Sequence, residues 1–96
     1  MLERMKLADA VRDIDTFDKE QTIYAAKPWT MDFAAIVAKE PDDGGLPPQA
    51  KEQQMAYFLE VFIANDFLND WVPTLPQSAT LEQRCRRIIE YAINDA

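Results

Sequence analysis

The sequence predicts a small α+β protein in which helices cover one face of an antiparallel β-hairpin. Two short segments rich in β-branched and aromatic residues favour strands. Segments with a helical period of apolar residues lie on both sides of them. The expected order is helix, strand, strand, helix, helix. A length of 96 residues suits one domain with one core, so we assign residues 1–96 to a single α+β domain.

The two predicted strands are residues 21–26, QTIYAA, and residues 33–39, FAAIVAK. They are joined by the connection KPWTMD, and an antiparallel hairpin is the simplest pairing for them. Two strands alone are marginal in water, so helices must cover one face. Residues 40–48, EPDDGGLPP, hold both glycines of the chain and predict a loop.

Both ends of the chain predict amphipathic helices. Near the N-terminus, Leu7, Val11 and Ile14 follow each other at spacings of four and three residues. Near the C-terminus, Thr80 and Gln83 have the spacing of a capping box, in which each side chain accepts a hydrogen bond from the other residue's backbone amide. The apolar stripe of this last helix consists of Leu81, Cys85, Ile88, Ile89 and Ala92. On its other side, Glu82, Arg86 and Glu90 have the spacing of weak ion pairs.

A long central helix is predicted from about residue 48 to residue 71, ended by the prolines of residues 72–76. Its apolar residues form two stripes, which are Met55, Phe58, Leu59, Phe62 and Ile63 on one side and Tyr57, Val61, Ala64, Leu68 and Trp71 on the other. A helix with two apolar stripes must be covered on both sides, so we expect this segment to be the spine of the fold. The substitution Phe62→Ala should then cost about 3–5 kcal/mol.

The charge of the chain restricts its partners. It has 17 acidic and 10 basic residues, for a formal net charge of −7. Residues 40–79 carry seven carboxylates and one lysine, so most of the excess lies there. This balance argues against binding to nucleic acid and to anionic membranes, both of which need clustered Lys and Arg. The acidic surplus either solvates the surface or binds a basic partner.

Several chemistries lack their usual residues. The chain has no histidine, only two glycines, which are adjacent, and one cysteine. Imidazole-dependent triads, phosphate-binding glycine loops and CxxC motifs are therefore excluded. We expect no enzymatic activity, no catalytic residue, no cofactor and no metal. Cys85 lies on an apolar helical stripe and is expected in the core. The N-terminus does not resemble a signal peptide, and the longest apolar run is residues 33–38, so we expect a cytoplasmic protein.

Three groups of residues remain as candidates for chemistry or binding. Glu60 is the one charged residue between residues 55 and 64, and it is either a buried acid or, as we favour, part of a solvent-facing seam. Asp66 and Asp70 lie one helical turn apart but offer too few oxygens for a divalent cation. Trp29, in the connection between the strands, either fills the core, which we favour, or anchors a partner. The segment Asp42–Asp43–Gly44 lacks the alternating ligands of a calcium loop.

The motifs IYAAKPW, YFLEVFIANDFLNDW and RIIEYAINDA resemble a family of small uncharacterised bacterial proteins. In that family, a strand ending in Lys–Pro–Trp precedes a YFLEVFIA-type helix and an acidic C-terminal helix. The resemblance covers most of residues 20–96 and implies a bacterial, cytoplasmic, single-domain protein without an assigned activity. In size and charge the chain is also similar to immunity proteins, which neutralise a basic toxin.

These observations favour a non-enzymatic acidic module that binds a basic protein, in the manner of an immunity or inhibitor protein. The candidate partner-binding residues are Trp29, Asp42, Asp43, Asp66, Asp70 and Trp71. The alternative is a self-associating structural or accessory protein, in which the second stripe of the central helix closes a homodimer. An enzyme that uses Glu60 or the Asp66–Asp70 pair ranks third.

Overall fold

The computed structural model describes residues 4–71 and 80–95, and of Trp71 and Asp95 it describes the backbone alone. The elements are β1 Met5–Lys6, α1 Leu7–Arg12, a 3-10 turn Ile14–Thr16, β2 Gln21–Ala26, β3 Ala34–Lys39, α2 Pro48–Glu52, β4 Met55–Glu60, α3 Val61–Trp71 and α4 Leu81–Asp95. The predicted proline stop at residues 72–76 lies outside the described residues. Within the described part, no helix has the length and apolar character needed to cross a membrane.

The strands form one four-stranded antiparallel sheet in the order β1-β3-β2-β4. The predicted hairpin is its centre, with Gln21 opposite Lys39 and Ala25 opposite Ala35. Two residues of β1 pair with the outer side of β3, and β4 pairs with the outer side of β2. The α+β class and the hairpin are therefore confirmed, whereas β1 and β4 were not predicted.

The predicted long helix from residue 48 to residue 71 is wrong. The structure has a short helix α2, then strand β4, then helix α3 over this range. The reversal occurs at Gln54, whose φ of 57° lies in the left-handed region that non-glycine residues rarely adopt. Pairing with β2 then holds Met55–Glu60 extended. Backbone pairing in the sheet outweighs the local preference of these residues for a helix.

A β-bulge explains why β4 does not show the alternation of a strand. The ladder between β2 and β4 shifts register between Ile23 and Tyr24, which pair with Leu59 and Tyr57 respectively. Phe58 is the extra residue, and both Phe58 and Leu59 belong to the main core. A bulge thus turns two consecutive apolar residues toward the same side. The resulting run of apolar residues fits a helical stripe as well as it fits a strand.

Both faces of the sheet are covered, and not one face as predicted. On the main face, α1 packs against β3, α3 packs against β2 and β4, and α4 packs against both helices. This core includes the buried residues of segment 7–14. Its other buried residues are Ile23, Ala25, Ala35, Val37, Phe58, Leu59, Val61, Ala64, Leu68, Cys85, Ile88 and Ala92. The second face has a smaller cluster, consisting of Tyr24, Ile36, Ala38, Ala50 and Met55. It is covered by the short α2 and the preceding loop, with Leu46 packed against it.

Helix α3 buries one side only, and this overturns the prediction for Phe62. Val61, Ala64 and Leu68 are buried, whereas the side chain of Phe62 is 44% exposed. The predicted stripe from Met55 to Ile63 combined strand residues with helix residues, so its members do not share a face. We therefore no longer expect Phe62→Ala to cost the 3–5 kcal/mol of a buried phenylalanine.

For helix α4, the capping box, the buried position of Cys85 and the ion pair of Arg86 with Glu82 are confirmed, whereas Glu90 pairs with Arg87 and not, as predicted, with Arg86. The amide of Thr80 donates to Gln83 Oε1 at 2.9 Å, and the amide of Gln83 donates to Thr80 Oγ1 at 3.1 Å, which completes the capping box. Cys85 is buried and has no disulfide. The exposed side carries two ion pairs, Arg86 with Glu82 at 2.8 Å and Arg87 with Glu90 at 3.0 Å.

Candidate functional site

Trp29 fills the core, as favoured from the sequence, and also reaches the surface. Its ring meets Phe58 edge-on, with centroids 4.9 Å apart, and its Nε1 donates to the carbonyl of Ala25 at 3.2 Å. The ammonium of Lys27 lies 5.1 Å from the ring centroid, within cation–π range. The ring also borders two surface clefts, of about 270 and 380 Å³, along helix α4. Trp29 is therefore a structural residue with one accessible side.

The predicted aspartates lie at the surface in two separate segments. Asp42 and Asp43 are exposed in the loop after β3, where Asp43 Oδ1 accepts a hydrogen bond from the amide of Gly45 at 2.9 Å. Asp66 and Asp70 are exposed on α3. Trp71 is the last residue of α3, and its side chain lies outside what the structure describes. The two pairs of aspartates therefore lie on separate parts of the described surface.

Between the two acidic segments lies a cleft that the sequence did not reveal. It forms where β2 begins, β3 and β4 end, and α3 begins. Its volume is about 390 Å³. Its lining residues, which define the acidic cleft below, are Lys19, Glu20, Thr22, Glu40, Glu60 and Phe62. Three carboxylates from three parts of the chain thus surround one concave site, with an exposed aromatic ring in its wall.

The three glutamates of the acidic cleft have no ion-pair partner among the described residues. Elsewhere among the described residues, Arg12 pairs with an acid of α1 and with the acid that follows α1. Arg86 and Arg87 pair with acids of α4. Lys19 lines the cleft, but its ammonium is not within ion-pairing distance of any carboxylate in the described part of the chain. Glu60 is half-buried as the last residue of β4, so the predicted seam on a helix is wrong. The cleft therefore carries net negative charge that the described residues leave uncompensated.

Hydroxyl groups lie next to these carboxylates. Tyr24 is 1% exposed, and its hydroxyl contacts the Thr22 side chain without forming a hydrogen bond of ordinary geometry within the described residues. Burial raises the pKa of Tyr24, and the charge of Glu40 raises this pKa further. Burial likewise raises the pKa of Tyr57, with Glu60 as the next cause. Thr22, opposite Glu60 in the ladder, is buried in the wall of the cleft.

Helix α3 extends the acidic surface away from the cleft. Phe62, Asp66 and Asp70 follow each other at intervals of four residues, so they lie along one side of the helix. All three are exposed, and the buried residues of α3 lie on the opposite side. On the other rim, Glu40 begins the loop that carries Asp42 and Asp43. The aspartates chosen from the sequence thus flank the cleft, although they do not form it.

The residues of the cleft that sequence reasoning missed are Lys19, Glu20, Thr22 and Glu40. One signal was present. If the ladder that pairs Gln21 with Lys39 is continued by one residue, Glu20 lies opposite Glu40. Two like charges opposite each other destabilise a hairpin, so this pairing was a signal that the sequence could have offered. Glu60 and Phe62 reach the cleft only because residues 55–60 form β4. That strand was not predicted, so their place in the cleft was not predicted either.

Among residues 4–71 and 80–95, no cluster of three or more Asp, Glu or Cys side chains is arranged to hold a metal ion. Cys85 is buried, and burial raises the pKa of its thiol from 9.0 to about 11. A thiol with a raised pKa is a poor nucleophile. We take the acidic cleft as the candidate site because it combines concavity and an exposed aromatic ring with three carboxylates that have no ion-pair partner among the described residues.

Comparison with protein-family profiles, with curated proteins and with solved structures gives no match for this chain.

Proposed function

We propose that the protein is a non-enzymatic binding module that docks its acidic side onto a basic protein partner, in the manner of an immunity or inhibitor protein. The observation that carries the proposal is the acidic cleft, in which Glu20, Glu40 and Glu60 share one concave surface without ion-pair partners among the described residues. Uncompensated carboxylates repel each other, and a cation from a partner relieves that repulsion.

The surroundings of the cleft support a protein partner. Exposed Asp42 and Asp43 on one rim and Asp66 and Asp70 on the other extend the negative surface beyond the cleft. Such charges act over about 8 Å at physiological ionic strength and chiefly speed the encounter. Exposed Phe62, in the wall of the cleft, and Tyr57, next to Glu60, offer apolar area at its centre. Aromatic residues inside a charged rim are typical of protein interfaces.

The homodimer alternative needs a different surface from the one expected. The second stripe of a central helix no longer supports it, because residues 55–60 form a strand. A specific observation still favours self-association: β4 pairs on one side only among the described residues, and Tyr57 on this strand is 40% exposed. An unpaired edge can accept a strand from a second copy. Sedimentation analysis at micromolar concentrations distinguishes this alternative, which a strict monomer would exclude.

The proposal is tested by capturing partners from a lysate of the producing cells on immobilised protein. The double variant Asp66→Asn with Asp70→Asn changes the net charge by two units on the rim of the cleft. Glu82→Gln with Glu90→Gln makes the same change on α4 and is the matched control. We expect a basic protein to be retained by the wild type and by the control, and to associate more slowly with the rim variant at low salt.

Dissociation should change less than association, and the difference between the variants should shrink at high salt as the charges are screened. Three results contradict the proposal. They are recovery of no basic protein, equal association rates for the two double variants at low salt, and a captured partner whose binding does not depend on salt.

A further inference from the structure

We propose that the outer edge of β4 binds a basic extended segment of the partner, which joins the four-stranded sheet as a fifth strand. This inference rests on the proposed function and specifies how the basic partner is held. It uses the backbone and two side chains of β4, and it needs no contact with the aspartates of the rim. It can therefore fail while the proposed docking of a basic protein still holds.

The two edges of the sheet differ in how well they are protected against another strand. Edge strand β1 has two residues and carries the exposed Lys6, and a short strand with a lysine discourages pairing. Edge strand β4 has six residues and contains no proline, lysine or arginine. It pairs with β2 on one side, and no backbone hydrogen bond in the turns and loops of the described part involves residues 55–59. Within the described part, the backbone groups on the other side of β4 are therefore available to a partner.

The β-bulge limits the length of strand that this edge can accept. A bulge bends and twists the strand that carries it, and it is one of the devices that protect an edge. Here the bulge lies at Phe58, so residues 55–57 form a regular stretch before it. We therefore expect a short added strand centred near Tyr57, and not a long ladder.

Charge selects a basic segment over a second copy of this chain. Glu60, at the end of β4, has no ion-pair partner among the described residues, and exposed Asp66 and Asp70 follow on α3. A second copy would bring the same acids to the interface, between two chains that each carry a net charge of −7. A strand with arginine or lysine meets opposite charge instead, and opposite charges across a strand pair are stabilising.

The side chains of β4 indicate where the basic residues of the added strand lie. Tyr57 is opposite Tyr24 in the ladder, and it is 40% exposed. Glu60 is opposite Thr22, which lies two residues from Tyr24 on β2, so Tyr57 and Glu60 project from the same face of the sheet. A strand added to β4 places alternate side chains on this face. An arginine there can stack on the ring of Tyr57 or donate to the carboxylate of Glu60.

The experiment is an NMR titration of the full chain with the capped peptide acetyl-Val-Arg-Val-Arg-Val-amide, which has one basic face when extended. We expect saturable binding with a Kd of roughly millimolar strength, because a short strand supplies few contacts and loses freedom on binding. At saturation, amides of residues 55–59 that exchange freely in the unbound protein should exchange several-fold more slowly. The α protons of the peptide should also show Overhauser contacts with α protons of the same residues.

Two control peptides separate backbone pairing from attraction between charges. The arginine peptide N-methylated at its three central residues keeps its charge but lacks the donors for a ladder, so it should bind at least about tenfold more weakly. The peptide acetyl-Val-Glu-Val-Glu-Val-amide keeps the donors but reverses the charge. It should show no saturable binding over the same range of concentrations.

Protein variants locate the added strand. Tyr57→Lys places a cation on the edge, as natural proteins do to prevent pairing, and it should weaken the arginine peptide at least about tenfold. Since Tyr57 is exposed, this variant should fold normally, and its amide spectrum verifies this. Glu60→Gln should weaken the peptide about threefold, whereas Glu82→Gln, which removes the same charge from α4, should leave its Kd unchanged.

The inference is overturned if either control peptide binds as tightly as the arginine peptide, or if Tyr57→Lys leaves the Kd of the arginine peptide unchanged. It is also overturned if sedimentation shows a wild-type dimer that Tyr57→Lys dissociates, because a second copy then occupies the edge. If a captured basic protein binds Tyr57→Lys and the wild type with equal affinity, the added strand fails while docking of a basic partner stands. If no basic protein is captured, the proposed function itself fails.

Discussion

The two faces of the sheet differ in how they are covered. The main face lies under α1, α3 and α4, and its core extends from Leu7 to Ala92. The second face has five buried residues under α2 and a loop, and beside it lie the carboxylates of the acidic cleft. The first face buries enough apolar area to stabilise the fold. The second face is thinly covered, and this leaves polar side chains accessible at its end.

This division separates stability from recognition. A fully covered sheet face tolerates little change because every side chain in it is packed. A partly covered face can carry charges and exposed rings that weaken the fold slightly and serve contact with a partner. Tyr24 and Phe58 illustrate the difference, since both are fully buried aromatic residues of neighbouring strands. Phe58 meets Trp29 in the core, whereas the hydroxyl of Tyr24 contacts the polar side chain of Thr22, and the charge of Glu40 raises its pKa.

The largest expected effect is on the main face. Phe58→Ala should lower the free energy of unfolding by about 3–5 kcal/mol, since it opens a cavity and removes the edge-on contact with Trp29. Phe62→Ala is the matched control, because it removes the same atoms from an exposed position, and it should cost less than about 1 kcal/mol. Urea denaturation measures both changes. Equal losses would contradict the assignment of these two residues to core and surface.

Part of this contrast between the two faces could be predicted from the sequence. The hairpin, the first helix and the capped last helix were predicted because alternation, helical spacing and the Thr80–Gln83 pair act locally. Strand β4 was missed for two reasons. Its preceding turn uses Gln54 at positive φ, where glycine or asparagine is the expected signal. Its bulge at Phe58 removes the alternation that identifies a strand.

The acidic cleft was missed because it depends on pairing between distant segments. The aspartates of the rim lie in residues 40–79, where the excess of negative charge can be counted from the sequence. They were predicted as partner-binding residues for that reason. Glu20, Glu40 and Glu60 are 20 residues apart in the chain and meet only when β3, β2 and β4 are aligned in register. Charge counting within a window cannot detect such a group. The ladder between β2 and β3 places Glu20 near Glu40. Glu60 joins them only through the pairing of β4 with β2.

The next effect is the pH dependence of the main core. The pKa of Cys85 is raised from 9.0 to about 11 by burial, so the unfolded chain loses this proton at lower pH than the folded protein. Stability is therefore retained below pH 9 and decreases by about 2–3 kcal/mol as the pH rises to 11. Denaturation at pH 8, 9 and 10 measures the decrease.

The variant Cys85→Ala is the control for this prediction, and its stability should not change between pH 8 and 9.5. Above pH 10, ionisation of Tyr24 and Tyr57 in the unfolded chain lowers stability in the same direction, because both pKa values are raised in the fold. The Cys85 contribution should therefore be read below pH 10. A wild-type protein whose stability is constant from pH 8 to 10 would show that the thiol is accessible.

A smaller effect is expected at the turn into β4. Gln54→Gly should stabilise the protein by up to about 1 kcal/mol, because glycine adopts a φ of 57° without the steric cost that glutamine bears. The added freedom of the unfolded chain offsets part of this gain. Gln54→Ala keeps the Cβ and is the control, with no comparable gain. A loss of stability in Gln54→Gly would indicate that the glutamine side chain makes a contact that matters.

The smallest effect belongs to the second face. Tyr24→Phe should raise the free energy of unfolding slightly, by less than about 1 kcal/mol, because it removes a buried hydroxyl that contacts the Thr22 side chain without a hydrogen bond of ordinary geometry among the described residues. Thermal denaturation measures the change. If Tyr24→Phe destabilises the protein by 1 kcal/mol or more, the hydroxyl has a structural partner.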